Sequence, residues 1–212
     1  MKSLLYRFVG WCPGAAGLWL RQKMFPPLFR SCGKGVLFGR FVDFLSPENI
    51  VLGDRVVLNN SVTLDAGRWN LPGPGITLED DVFIGTGTDI TCGPFGAVTI
   101  QSGSNFSSFC TVRSNHPLTV GKNILVAAYC KLGNGSGRGT SPEQEVLVDP
   151  KKDKKTVIGN GCWLGVRMQL VEGVLIGEET IVGAHACVET DLPPYAVAVG
   201  RPAGMIRDRR VD

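Results

Sequence analysis

Residues 158–188 read IGNGCWLGVRMQLVEGVLIGEETIVGAHACV, and the spacing of their aliphatic positions decides the fold. Ile158, Leu164, Leu170, Ile176, Val182 and Val188 fall six apart without a break. The residue two before each of the last five is Cys162, Met168, Val174, Thr180 and Ala186, mostly small. Glycine often follows the aliphatic residue, as at Gly159, Gly165, Gly177 and Gly183. A helix repeats its face every 3.6 residues and a strand every two, so neither produces this period. A short strand and a turn every six residues do. Three such sides make a coil, and stacked coils bury the aliphatic ladder inside a triangular prism.

The same period runs upstream in fragments. Val120, Val126 and Leu132 form one set, and Ile100, Phe106 and Val112 another. Leu78, Ile84 and Ile90 form a third, and Leu52, Leu58 and Leu64 a fourth. The set starts at 52, 78, 100, 120, 158 and 176 are separated by 26, 22, 20, 38 and 18 residues. Removing one 18-residue coil from each spacing leaves insertions of 8, 4, 2, 20 and 0, all at the corner after the third side. Random insertions would scatter over three corners, so their agreement supports the register. Phe38 and Phe44 suggest a further, less regular coil at the start. The expectation is an all-β chain, a parallel β-helix of about seven coils over residues 36–194, with a loop inserted near 133–156. An amphipathic, helical segment over 1–35 precedes it, and a C-terminal tail over 195–212 follows.

Composition narrows the class. With 28 Gly and 13 Pro among 212 residues, 43% hydrophobic and 19% charged, the chain is too apolar for disorder and too rich in turn formers for a helical bundle. A net charge of +3 is too slight for a nucleic-acid binder that rests on bulk charge. The seven cysteines form no CxxC pair or zinc-type spacing, and two histidines exclude a three-histidine metal site within one chain; no metal is expected. An odd, scattered set of cysteines suits reduced thiols in the cytoplasm. Cys110, Cys130 and Cys162 occupy the small inward position four residues after an aliphatic one, where a thiol serves as a small hydrophobe. The longest uncharged run near the N-terminus, residues 8–20, contains Pro13 and is too short to span a bilayer. Arg7 interrupts what a signal peptide would need as an apolar core. A segment that packs on the domain or rests on a membrane surface fits better.

From Thr156 to Arg209 the stretch TVIGNGCWLGVRMQLVEGVLIGEETIVGAHACVETDLPPYAVAVGRPAGMIRDR resembles the hexapeptide-repeat acyltransferases, the family of maltose and galactoside O-acetyltransferases. The closing DLPP and GRPAGMIR segments carry the sharpest resemblance, and upstream coils match in period more than in identity. The resemblance implies a left-handed coil, where ordinary crossover statistics favour a right-handed one. It implies acyl transfer from acetyl-CoA to a hydroxyl or amine, within a homotrimer whose sites lie between subunits. It also implies a histidine general base at the insertion corner, and SNHPLTV, residues 114–120, places His116 there. Read alone, His116 is a loop histidine; in this setting it is the candidate base, with Ser114 and Asn115 as acceptor contacts. Trp163 matches a position that lines the cleft for pantetheine or acceptor, or packs on the neighbouring subunit; Gly165 and Ala184 match turns that approach the coenzyme, and Arg201 and Arg207 suit its phosphates. Thr190 departs from a lysine the family often has there. His185, on a turn in GAHACV, reads as a structural or coenzyme-wall residue. Lys151, Lys152, Lys154 and Lys155 read as a solvated loop or as a phosphate attractor.

The first functional reading is an O-acetyltransferase of a sugar or polysaccharide precursor, cytoplasmic and with an N-terminus suited to a membrane surface. The alternatives are transfer to an amine of an amino sugar or antibiotic or to serine, and a silent β-helix scaffold.

Overall fold

The computed structural model describes residues 4–67, 73–93, 95–133 and 155–211, with side chains from residue 8 onward. Twenty-one short parallel strands lie in three sheets, seven to a sheet, and the C-terminal hairpin adds two more to the second. Each coil contributes one strand to each sheet in order, which gives a seven-coil parallel β-helix. The inward residues pair rung on rung. On the first face Cys32, Leu52, Leu78, Ile100, Val120, Ile158 and Ile176 are in register, and all but half-buried Cys32 are buried. On the second face Phe38, Leu58, Ile84, Phe106, Val126, Leu164 and Val182 form the ladder. Each buried rung of this size contributes roughly 1.5–3 kcal/mol. Spread over every coil, this burial holds up strands only two to four residues long.

The register read from the sequence is the observed one, and the insertions leave at the corner between the third and first faces. Two details differ. The helix begins at Ser31 rather than 36, because Cys32 takes the first rung and the first coil is fully periodic through Phe38 and Phe44. A cysteine at an aliphatic rung, followed by a 3-10 turn at Pro47–Asn49, hides that coil from an aliphatic pattern. Residues 195–212 are also more than a tail: Ala196–Gly200 extends the second face in parallel, and Ala203–Asp208 pairs back on it antiparallel.

Two helices, α1 (Leu4–Trp11) and α2 (Gly14–Met24), close the first-coil end. Pro13 separates them, and the 3-10 turn Pro26–Leu28 ends the second. Phe25 and Phe29 pack edge-on or stacked against Phe38 and Phe44 at 4.8–5.8 Å, sealing the prism. Arg21 locks the cap: buried, it donates from Nε to the Phe38 carbonyl at 2.9 Å and from Nη1 to the carbonyls of Val9 and Cys12. No helix among the described residues is long and apolar enough to cross a membrane.

Candidate active site

Departing insertions expose backbone polar groups, and at the third corner one buried carboxylate gathers them. Ser114 ends the strand Thr111–Ser114, and only Asn115 and His116 separate it from the next strand, Pro117–Val120. Glu172 lies on the same corner two coils further on and is only 8% exposed. Its Oε1 accepts from the Asn115 N–H at 2.8 Å, the His116 N–H at 2.7 Å and the Ser114 hydroxyl at 2.9 Å. The Ser114 Oγ also lies 2.6 Å from the His116 carbonyl. A buried carboxylate is costly without donors; with three it becomes a strong clamp. Beside it the buried Thr156 hydroxyl accepts the Gly173 N–H at 2.8 Å. One coil below, Gly93 lets the turn approach, since a Cβ there would collide with the Asn115 side-chain oxygen. The imidazole of His116 therefore sits, half-buried, on a turn fixed from behind.

Glu172 was not legible as a site residue. In VEGV it occupies the one third corner with no insertion and reads as an ordinary turn residue. Its role arises because the chain leaves the intervening coil after Gly133 and rejoins at Thr156. The carboxylate reaches across that level. Register arithmetic places Glu172 and His116 on one corner, and that is the signal that could have found it.

The expected coenzyme residues lie elsewhere: Trp163 and Arg207 on the second face, Gly165 and Ala184 at the second corner, and Arg201 against Gln169 of the third face. Trp163, half exposed, points outward from the second face between Leu125 and Ile181. Arg207 stands on the same row, reached through Ile181 and Val197. Gly165 and exposed Ala184 turn the second corner in adjacent coils; a Cβ on Gly165 would lie 2.6 Å from the Ala184 nitrogen. Arg201 donates from Nη2 to Gln169 Oε1 at 3.1 Å. Asp191, beside the departure at Thr190, accepts the Leu175 N–H at 2.9 Å. His185 adopts the left-handed conformation, φ 61°, at the second corner and is exposed. It continues a ladder in which Phe109 and Tyr129 stack at 5.3 Å and the Arg167 guanidinium lies 5.5 Å from the Tyr129 ring. Lys151, Lys152, Lys154 and most of the expected loop lie outside the described residues; Lys155 is exposed.

The second face is opposite the third corner in any three-sided prism. Within one chain, His116 with Ser114 and Asn115 is thus on one side, and Trp163 with Arg207 on the other.

No family model matches the chain. The galactoside O-acetyltransferase of Escherichia coli is 32% identical over 112 residues, 51% of this chain and 54% of that protein. WcaF of Escherichia coli, an acetyltransferase named for colanic acid biosynthesis, is 34% identical over 92 residues, 43% and 48% of the two chains. The chain's relatives are acetyltransferases of the hexapeptide-repeat family. It spans about half the length of the curated relatives it matches. Among solved structures, AntD, an N-acyltransferase from Bacillus cereus in complex with dTDP and 3-hydroxybutyryl-CoA, superposes with a TM-score of 0.53 at 20% identity, covering 89% of this chain and 88% of that one. That likeness shows the fold, the left-handed parallel β-helix.

Proposed function

We propose that the protein is an acetyl-CoA-dependent O-acetyltransferase of a sugar or polysaccharide-precursor hydroxyl, with His116 as general base. The observation that carries this is the clamp on His116. A buried carboxylate spends its three hydrogen bonds on the turn Ser114–Asn115–His116, more order than a solvated loop histidine needs. The nature of the two sequence relatives, a galactoside O-acetyltransferase and a polysaccharide-linked acetyltransferase, supports the acceptor class.

In this reading His116 takes the proton of the acceptor hydroxyl as its oxygen attacks the thioester carbonyl. The C–S bond breaks, and His116 returns the proton to the departing thiolate, leaving an ester and a free thiol. No covalent enzyme intermediate is required, because the thioester is already activated. Glu172 holds the turn so that the imidazole meets the acceptor in one orientation. Phe95, 68% exposed on the preceding coil of the same corner, offers a ring for the sugar. The residues of the second face and second corner fit the coenzyme: an indole surface and small turn residues for the pantetheine arm, and the Arg207 guanidinium for the phosphates. Because these lie opposite His116 in one chain, the working site joins the third corner of one subunit to the second face of another in a homotrimer.

Release of free thiol from acetyl-CoA, followed against a panel of sugars, amino sugars and serine, tests the reading. Release with a hydroxyl acceptor supports it. Release only with amines moves the assignment to N-acylation, and none with any acceptor favours a silent scaffold.

A further inference from the structure

The cap at the first-coil end carries a surface that acyl transfer does not use. On α2, Gly17 and Arg21 face inward, while Trp19, 59% exposed, stands opposite with Lys23 one turn further on. On α1, Val9 is buried, and Phe8 and Trp11, each just over half exposed, have ring centroids 6.1 Å apart. Phe41 extends the patch: its N–H bonds the Gly10 carbonyl at 3.0 Å, and the Arg40 guanidinium lies 5.0 Å from its ring. Exposed aromatic clusters of this kind mark interaction surfaces. The Arg21 lock makes the patch rigid before any partner arrives.

Charge identifies the partner. Residues 1–40 hold seven of the 22 basic residues and none of the 19 acidic ones, leaving 15 against 19 in the rest of the chain. Lys23, Arg30 and Lys34 are exposed on the cap and the first coil. The same cap of a second copy would be repelled by this charge. Tryptophan and phenylalanine flanked by cations suit the boundary between acyl chains and anionic headgroups. We propose that the cap docks the protein flat on an anionic bilayer surface, with Phe8, Trp11 and Trp19 at headgroup depth and the cations against lipid phosphates. The proposal does not rest on the transfer activity.

Co-sedimentation of the full chain with vesicles tests it, comparing phosphatidylcholine alone with phosphatidylcholine mixed with phosphatidylglycerol. Binding to the mixed vesicles should exceed binding to the neutral ones by about tenfold or more and weaken with salt. Trp11→Ser with Trp19→Ser, and separately Lys23→Glu with Lys34→Glu, should each cut it by about tenfold, with unchanged circular dichroism because all four side chains are exposed. Absence of binding to either vesicle, or wild-type binding by both double variants, would overturn the proposal. So would a self-associated form of the chain that the tryptophan variant dissociates, since the patch would then belong to another copy.

Discussion

At the second corner the chain turns in the same six-residue step in all seven coils, and its left-handed residues include the row Phe109, Tyr129, Arg167 and His185, in which the first two rings stack and Arg167 lies over Tyr129. At the third corner five of the six connections between coils carry inserted residues, and the space behind them holds Ser114, Thr156 and Glu172, all buried and polar. The inward positions of the second corner are filled by Val42, Val62, Thr88, Cys110, Cys130, Met168 and Ala186, and the one hydroxyl among them, on Thr88, donates to the Ser107 carbonyl and accepts the Cys110 N–H within its own corner. Periodicity is thus kept where the inward side chains are apolar or, like Thr88, satisfied locally, and broken where a buried carboxylate fixes a turn. In the proposed reading the two corners separate stability from chemistry, and that separation can be attacked from both sides.

The largest effect is expected at the broken corner. His116→Ala should lower kcat by about 10²–10⁴-fold and leave the KM for acetyl-CoA nearly unchanged, as steady-state kinetics would show. Full activity in this variant would remove chemistry from the third corner. In the regular part the signs reverse. Leu164→Ala should cost about 2–5 kcal/mol in urea denaturation by opening a cavity in the ladder, with activity per folded molecule largely kept. Smaller still is Glu172→Gln, which keeps the shape and an acceptor oxygen but loses the charge. It should reduce kcat about tenfold, with coenzyme KM and melting temperature close to wild type. A merely structural glutamate would lower the melting temperature and spare kcat.

The gentlest test concerns thiols. Burial pushes the Cys162 thiol up to about 11 and Cys92 up to about 12, so both stay protonated through mildly alkaline pH. Half-buried Cys12 and Cys32 should react with Ellman's reagent in the native protein, and the five buried cysteines only after unfolding. Ready reaction of Cys110 or Cys130 would mean that the second corner opens in the native protein.

Legibility followed the same division. The ladder from Ile158 to Val188 needs only local spacing, and subtracting coils placed every later insertion at the right corner, His116 included. The first coil was harder, because Cys32 substitutes for an aliphatic rung. Glu172 carries no local motif and shows itself only when the register is followed across two coils. Its partners are 56 to 58 residues away and become neighbours only because the chain leaves the coil between them. The place of Arg207 on the row of Trp163 was also hidden, since it depends on the C-terminal hairpin, where the six-residue period has ended.

The separation of His116 from Trp163 and Arg207 gives the central claim, a site completed by two copies of the chain. Two inactive variants decide it: His116→Ala, and Trp163→Ala combined with Arg207→Glu, both altered only at partly or fully exposed side chains. Co-expressed with different tags and purified as mixed trimers, they should recover roughly a third of wild-type thiol release, because one of the three interfaces in every mixed trimer has both halves intact. Mixed assemblies no more active than their parents would contradict the account.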